Sequence, residues 1–376
     1  MKITGVICEY NPFHLGHRKQ LQLIRAQEGP DCGIVCLMSG NFVQRGYPAI
    51  FDKSIRAEAA IRCGADLVLE LPVTASLSSA EGFAMGGVRV LSPFCHKLSF
   101  GSETGDAGKL METAQALLSP GFSEALREHL DKGLSFPAAR QAALGSDLLS
   151  RPNDILAVEY CKAILTLGST MEIAPILRQG DYHATEADPE NPSATALRVR
   201  IEEGSSWKDF VPREARVCFE GAAIHRLALG ERAILGRLRT MTDDQFEALP
   251  HGSEGLWRKF MHASRKYTTT EEILTAVKSK RYTRSRLDRM LMCAFLGITR
   301  EMLETPAPYV RVLALNDRGR EILKIARETG YFPNAGETTG TEYELLERRC
   351  GDLYGLFAES PEPPATEQAR RIVYIR

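Results

Sequence analysis

The sequence predicts an α/β fold: a parallel-sheet domain over residues 1–204, followed by a mainly helical C-terminal region. Three observations carry this. Short apolar runs alternate with amphipathic stretches through the first half, the pattern of strand–helix–strand units. The alternation stops near residue 205, and residues 220–300 read as consecutive helices. Hydrophobic residues make up 44% and charged residues 25%, enough apolar material for a real core.

The elements follow in order. ITGVIC (3–8) is a first strand. The polar loop EYNPFHLGH leads into the helical pattern HRKQLQLIRAQ. CGIVCLMS is a second, buried strand ending in the loop GNFVQRGYPAIF. DKSIRAEAAIRCGA is helical, with Gly64 as its stop. DLVLELP is a third strand, closed by Pro72. SSAEGFAMGGVRVLS is helical, and KLSFGSE a fourth strand and loop. Residues 107–149 are helical and charged, and RPNDILAVEYCKAILTLG adds a helix with Pro152 near its start. EIAPILRQG is a fifth strand, followed by the polar loop DYHATEADPENP. SATALRVRIEEG opens a helix with Ser193 as its cap. YVRVLALN (309–316) is one late strand, and the Pro-rich stretch 359–365 a loop.

The 376 residues suggest two or three domains at roughly 100–200 residues each, divided here as 1–204, 205–305 and 306–376. The net charge of -1 argues against a globally basic nucleic-acid binder and leaves room for a local basic patch. No apolar run of about 18 residues predicts a membrane span, and the N-terminus lacks a signal peptide's apolar run, so a cytoplasmic protein is expected. The nine cysteines (8, 32, 36, 63, 95, 161, 218, 293 and 350) include no CxxC pair. Buried thiols are expected rather than a zinc site.

The strongest chemical signal is His14-Leu15-Gly16-His17, directly after the first strand and opening a helix. Ligands of open α/β sheets bind there, beyond a strand's carboxyl end and at a helix N-terminus. Two imidazoles three residues apart share one side of a helical turn, and Gly16 between them lets a phosphate approach the backbone. Such a pair donates to charge building on transferring phosphate oxygens. The competing readings are two unrelated histidines near a turn, or a metal site, for which the stretch offers only Glu9 as a third ligand. The second signal is Ser193, Thr195 and Arg198. Two hydroxyls and an arginine one turn on would clasp a polyphosphate, although SxTxxR also describes an ordinary capped helix.

CEYNPFHLGH, MSGNFVQRGYPAIFDKSIRAEAAIRCGADLVLELP, SFGSE, RPNDILAVEY and SATALR occur in the order seen in the tRNA(Met) cytidine acetate ligase family. The chain resembles that family closely over residues 1–200, and more loosely through EGLWRKF, YTRSRLDRML and PYVRVLALN. The resemblance implies a Rossmann-like nucleotidyltransferase (HUP) first domain of the HIGH type. It also implies a reaction: ATP activates acetate as acetyladenylate with release of pyrophosphate, and the acetyl group moves to N4 of the wobble cytidine of elongator tRNA(Met), giving N4-acetylcytidine.

The ATP site that the resemblance implies uses the loop Ile7, Cys8, Glu9, Tyr10, Asn11, Pro12, Phe13, His14, Leu15, Gly16, His17, Arg18, Lys19 and Gln20, with Gly101, Asn153 and Arg178. The residues agree: Gly101 ends a strand where backbone can approach a nucleoside, Asn153 carries both a donor and an acceptor, and Arg178 would neutralise phosphate. Ser193 and Thr195 are added to that site, and His14, His17 and Arg198 form the expected catalytic set. Asn41, Gln44, Arg45 and Lys53 are offered to acetate or the tRNA end. Asp52, Lys53 and Arg56 also read as a helix cap and a surface ion pair. Glu70 reads as a metal or base-orienting residue, or as a satisfied strand-end carboxylate.

Lys278, Lys280, Arg281, Arg284, Arg286 and Arg289 make a basic stretch with Asp288 its one acid, beside Tyr267 and Tyr282. It suits a tRNA backbone, or equally a solvated helical face. Mg2+ is expected with ATP, with no protein-held metal. Elongator tRNA(Met) and acetate are the expected partners, with no DNA and no membrane. The rival functions are a small-molecule nucleotidyltransferase of cofactor metabolism and a non-catalytic RNA-binding protein with a relic nucleotide pocket. The basic helical region argues against the first, and the intact His14, His17 and Arg198 against the second.

Overall fold

The structure is a computed structural model and describes all residues except 135, 179–191, 330–331, 333–339 and 365. It is an α/β fold. Among the described residues nine strands form: β1 (Ile3–Cys8), β2 (Gly33–Ser39), β3 (Phe42–Val43), β4 (Tyr47–Pro48), β5 (Leu67–Leu71), β6 (Lys97–Ser102), β7 (Glu172–Leu177), β8 (Val312–Leu315) and β9 (Val373–Tyr374). Seven make one sheet in the order β7-β6-β1-β2-β5-β8-β9, while β3 and β4 pair separately as a hairpin.

The five strands from β7 to β5 are parallel. β2 and β5 are buried at every residue. Their side chains alternate between two cores: Val35, Leu37, Leu67 and Leu69 enter one, and Ile34, Cys36, Met38 and Val68 the other. A strand covered on both faces is apolar at nearly every position. That is why these segments read in sequence as apolar runs, broken only near their carboxyl ends by Ser39 and Glu70.

The late strand expected at 309–316 forms as Val312–Leu315 and completes the same sheet, antiparallel to β5, with Leu67 opposite Leu315. β9 then lies parallel to β8. Between these C-terminal strands and the first half stands a helical body with its own core, including Phe246, Phe260, Ile273, Leu287, Met290 and Phe295. The polar loop expected after β7 lies outside the described residues up to 191. Among the described residues no helix is long and apolar enough to cross a membrane.

The connections position the site. From β1 the chain runs through β2 to β5 on one side, and β6 then returns to the other side of β1. The crevice beyond the carboxyl ends of β1 and β6 is therefore the topological switch point, where open α/β sheets bind ligands.

Candidate active site

A cavity of about 420 Å³ opens at that switch point. Ile7 to Asn11, His14, Gly16, His17, Lys19 and Gln20 line it from the end of β1. Phe100 and Gly101 contribute from β6, Asn153 from the helix Pro152–Thr166, Arg178 from the end of β7, and Ser193, Thr195 and Arg198 from the helix after it. Gln44, Arg45 and Tyr47 of the β3–β4 hairpin form another wall.

His14 is the N-cap of helix α1 (Leu15–Glu28), with extended backbone at φ -141°. Its Nδ1 accepts the Gly16 N–H at 3.1 Å, and His17 Nδ1 accepts the His14 N–H at 3.3 Å. A histidine pair thus does the work of a capping box. Because both Nδ1 atoms are acceptors, the neutral rings carry their protons on Nε2. The rings stack at 3.6 Å between centroids. Burial, then the Arg178 and Arg198 charges, push the His14 pKa down to about 3. Burial, His14 and Arg178 hold His17 well below its ordinary value. Both rings are therefore neutral donors at pH 7. A Cβ at Gly16 would lie 3.0 Å from His14 Cε1, so the glycine leaves the ring its place.

Ser193 caps the helix Ala194–Glu202, its Oγ accepting the Ala196 N–H at 3.2 Å. Arg198 lies one turn in. Its Nη1 donates to the Asn11 carbonyl at 2.8 Å, and its Nη2 to Tyr47 Oη and Thr195 Oγ1, each at 3.1 Å. Two segments distant in sequence, together with the arginine's own helix, hold this guanidinium beside the histidines. Arg178 is exposed, and its Nη1 donates to Asn153 Oδ1 at 3.4 Å. A Cβ on Gly101 would sit 2.6 Å from Arg178 Cδ, so the glycine gives the arginine its path across the strand end.

Several expected residues lie elsewhere. Phe13 is fully buried in the core beneath the loop, and Pro12 is buried beside it. Leu15 is half-buried and does not line the cavity. Arg18 pairs with Glu214 at 3.0 Å. Asn41 is buried: its Oδ1 accepts the Lys53 N–H at 2.8 Å and its Nδ2 donates to Asp52 Oδ2 at 3.2 Å. Lys53 lies outside the cavity, with Nζ 2.6 Å from Glu70 Oε1 and 2.8 Å from Glu367 Oε1.

Asp52 does cap helix α2 (Lys53–Arg62), accepting the Ser54 N–H at 2.8 Å. The surface ion pair expected around it does not form, because Lys53 and Arg56 are both buried. Arg56 donates to the carbonyls of Phe51 at 2.9 Å, Glu9 at 2.6 Å, Ser39 at 3.2 Å and Gly40. Those acceptors make a wholly buried guanidinium tolerable and fix the β1 and β2 loops to each other. Glu70 is a strand-end carboxylate whose Oε1 accepts from Lys53 Nζ, while its buried Oε2 finds no partner among the described residues.

The basic stretch divides. Lys278, Lys280 and Arg281 are exposed, with Arg281 also 2.7 Å from Glu254. Arg284 is 2.7 Å from both Glu271 and Asp288. Arg286 donates to the His251 carbonyl and Ser253 Oγ, each at 2.9 Å. Arg289 is buried, its Nη1 reaching the Gln44 carbonyl at 3.5 Å, so it faces the hairpin rather than an outer surface.

Two residues that shape the cavity went unmarked in sequence. Tyr47 holds Arg198, yet in GNFVQRGYP it is one aromatic in a loop. Glu103 ends SFGSE, and its carboxylate accepts Asn153 Nδ2 at 2.6 Å. The signal for both is proximity alone: each stands within three residues of a residue that does line the cavity.

The family model described as HIGH Nucleotidyl Transferase matches residues 1–368. The tRNA(Met) cytidine acetate ligase of Clostridium novyi (strain NT) is 36% identical, the match covering 89% of each chain. That of Kosmotoga olearia is 35% identical over the full length of both. The crystal structure of Thermotoga maritima TmcAL in its apo form I superposes over 100% of both chains with a TM-score of 0.91 at 32% identity. The same protein bound with alpha-thio ATP gives a TM-score of 0.88 at 31% identity. With the histidine pair, the two arginines and the switch-point crevice in place, this chain belongs to the HIGH nucleotidyl transferase family and, within it, to the tRNA(Met) cytidine acetate ligases.

Proposed function

We propose that the protein is an ATP-dependent acetate ligase acting on elongator tRNA(Met) in the cytoplasm. The observation that carries this is the convergence of His14, His17, Arg178 and Arg198 on one crevice at the switch point. The full-length relatives named as cytidine acetate ligases, and the related structure holding an ATP analogue, support the same reading.

In the first step an acetate oxygen attacks the α-phosphorus of ATP in line. The bond to the bridging oxygen breaks, pyrophosphate leaves, and acetyladenylate forms. The two Nε2–H groups donate to the phosphate oxygens as charge builds, and Arg178 and Arg198 neutralise the leaving pyrophosphate. In the second step N4 of the wobble cytidine attacks the acetyl carbon. The bond to AMP breaks, and N4 gives up a proton. Catalysis is positioning plus charge stabilisation, and no covalent enzyme intermediate is required.

Mg2+ would arrive on the oxygens of ATP. Among the described residues Glu9 is the one carboxylate lining the cavity, and its Oε1 already accepts the Gln44 N–H at 2.8 Å. Among the described residues no three His, Cys, Asp or Glu side chains gather around a point.

In this reading residues 1–204 carry the adenylation and 205–305 face the tRNA, with 306–376 as a small closing segment. Gln44 and Arg45 border the acetate and cytidine end, while Lys278, Lys280 and Arg281 meet the tRNA backbone. The test is ATP–pyrophosphate exchange with and without acetate, then labelled acetate with ATP and total tRNA followed by nucleoside analysis. Exchange that needs acetate, with label in N4-acetylcytidine, is expected. Exchange that needs a different acceptor would replace this reading with that of a small-molecule nucleotidyltransferase.

A further inference from the structure

Asn153 lines the nucleotide cavity, and its amide has only one chemically allowed orientation. Glu103 Oε1 accepts the Asn153 backbone N–H at 3.2 Å and its side-chain Nδ2 at 2.6 Å. Glu103 Oε2 accepts the Asp154 N–H at 2.8 Å. A carboxylate offers acceptors only, so the amide nitrogen must face Glu103 and the carbonyl oxygen must face away from it. A second latch fixes Glu103 itself: Asp154 Oδ1 accepts the Ser102 hydroxyl at 2.5 Å, the Glu103 N–H at 2.9 Å and the Thr104 N–H at 3.2 Å. Each of the two acids thus accepts the other's backbone N–H.

Asn153 Oδ1 meets Arg178 Nη1 at 3.4 Å, a long contact to an exposed side chain. An arriving triphosphate offers Arg178 a stronger partner, which releases this oxygen to the nucleoside. Gly101, with no side chain, borders the same end of the cavity.

We infer that Glu103 is a positioning residue that locks Asn153 as a hydrogen-bond acceptor, and that this acceptor selects a purine with a 6-amino group over one with a 6-oxo group. The inference rests on the reading of this cavity as the ATP site. An adenine amino group donates to Asn153 Oδ1. A 6-oxo purine would set an acceptor against it, and Glu103 prevents the amide from turning to correct the mismatch.

The test is equilibrium binding of ATP, ITP and purine riboside triphosphate to the wild type and to Glu103→Gln. The wild type is expected to prefer ATP over both analogues by roughly tenfold or more, the order for an unpaired acceptor in a half-buried site. Glutamine keeps a carbonyl for the helix amides and adds a donor, so Asn153 can turn in the variant. The ATP-to-ITP ratio should then fall by about an order of magnitude, mainly through tighter ITP binding. A general loss of structure would weaken both nucleotides together and leave the ratio unchanged. An unchanged ratio in Glu103→Gln, or a wild type that binds ATP and purine riboside triphosphate equally, overturns the inference while the ATP site stands. A wild type that binds no purine triphosphate overturns both.

Discussion

Tyr47 Oη accepts a hydrogen bond from Arg198 Nη2 at 3.1 Å, joining the β3–β4 hairpin to the helix that opens at Ser193. The ring also lies under the guanidinium, 5.4 Å from centroid to Cζ. Tyr47→Phe keeps the ring and removes the acceptor. Acetyladenylate formation should slow roughly tenfold, the value of one charge-assisted hydrogen bond, with thermal stability unchanged. Wild-type rates in this variant would mean that the contact does not position Arg198.

The histidines combine two duties that an amide separates. Asparagine at position 14 keeps a cap acceptor for α1 and loses the Nε2–H. His14→Asn and His17→Asn should each lower adenylation by about 2.7–4 kcal/mol of transition-state stabilisation, roughly 10²–10³-fold, while unfolding free energy moves by under about 1 kcal/mol. Exchange kinetics beside urea denaturation of the same samples make the comparison. A loss of stability that tracked the loss of rate would reduce the pair to a structural cap.

Stability should fall on acidification. In the unfolded chain His14 titrates near its ordinary 6.5, whereas in the fold it resists protonation until about pH 3. Between those values the unfolded state binds the extra proton, so the fold loses up to about 1.4 kcal/mol per pH unit from this group as pH drops. His17, and His251 at about 4, act in the same direction. The urea midpoint should decline from pH 7 to pH 5, and His14→Asn should flatten that slope. An equal slope in the variant would contradict the buried, neutral ring.

Lys53 stands between two carboxylates, and its side chain is 3% exposed. Lys53→Met leaves Glu70 and Glu367 without their shared cation. Removing one partner of a buried pair costs about 3–5 kcal/mol, so the variant should unfold at markedly lower urea. Nucleotide binding by the fraction still folded should be normal, because Lys53 does not line the cavity.

Replacing Lys278, Lys280 and Arg281 with alanine should spare acetate-dependent pyrophosphate exchange. It should weaken tRNA binding and flatten its salt dependence by somewhat under one logarithmic unit, about 0.7–0.9, per lost phosphate contact. These three are exposed, whereas Arg284 is tied to Glu271 and Asp288. Unchanged affinity and salt slope would return the stretch to a solvated face.

The strands β1, β2 and β5 were legible because burial on both faces demands nearly unbroken apolar runs, whereas β6 and the edge strand β7, exposed at both of its ends, were legible from their place in the strand–helix alternation. The histidines and Arg198 were legible because HLGH opens a helix directly after β1 and SATALR opens the helix that follows β7. The direction of β8 was not, since an apolar run carries no record of whether its neighbour runs parallel or antiparallel. The two-residue strands β3, β4 and β9 fall below any detectable period. Lys53 and Arg56 read as surface charges because nothing local announces partners such as Glu367, more than three hundred residues away. Tyr47 and Glu103 act through neighbours that only the fold supplies.

The antiparallel pairing of β8 with β5 also sets a constraint in time. On the ribosome, Leu69 emerges more than two hundred residues before its partner Val312. At roughly 5–20 residues per second, the nascent sheet waits some tens of seconds with the β5 edge unpaired. An unpaired apolar edge is a template for pairing with another chain. The N-terminal half should therefore depend on chaperone cover during synthesis, and truncation before residue 312 should yield aggregate rather than a nucleotide-binding fragment.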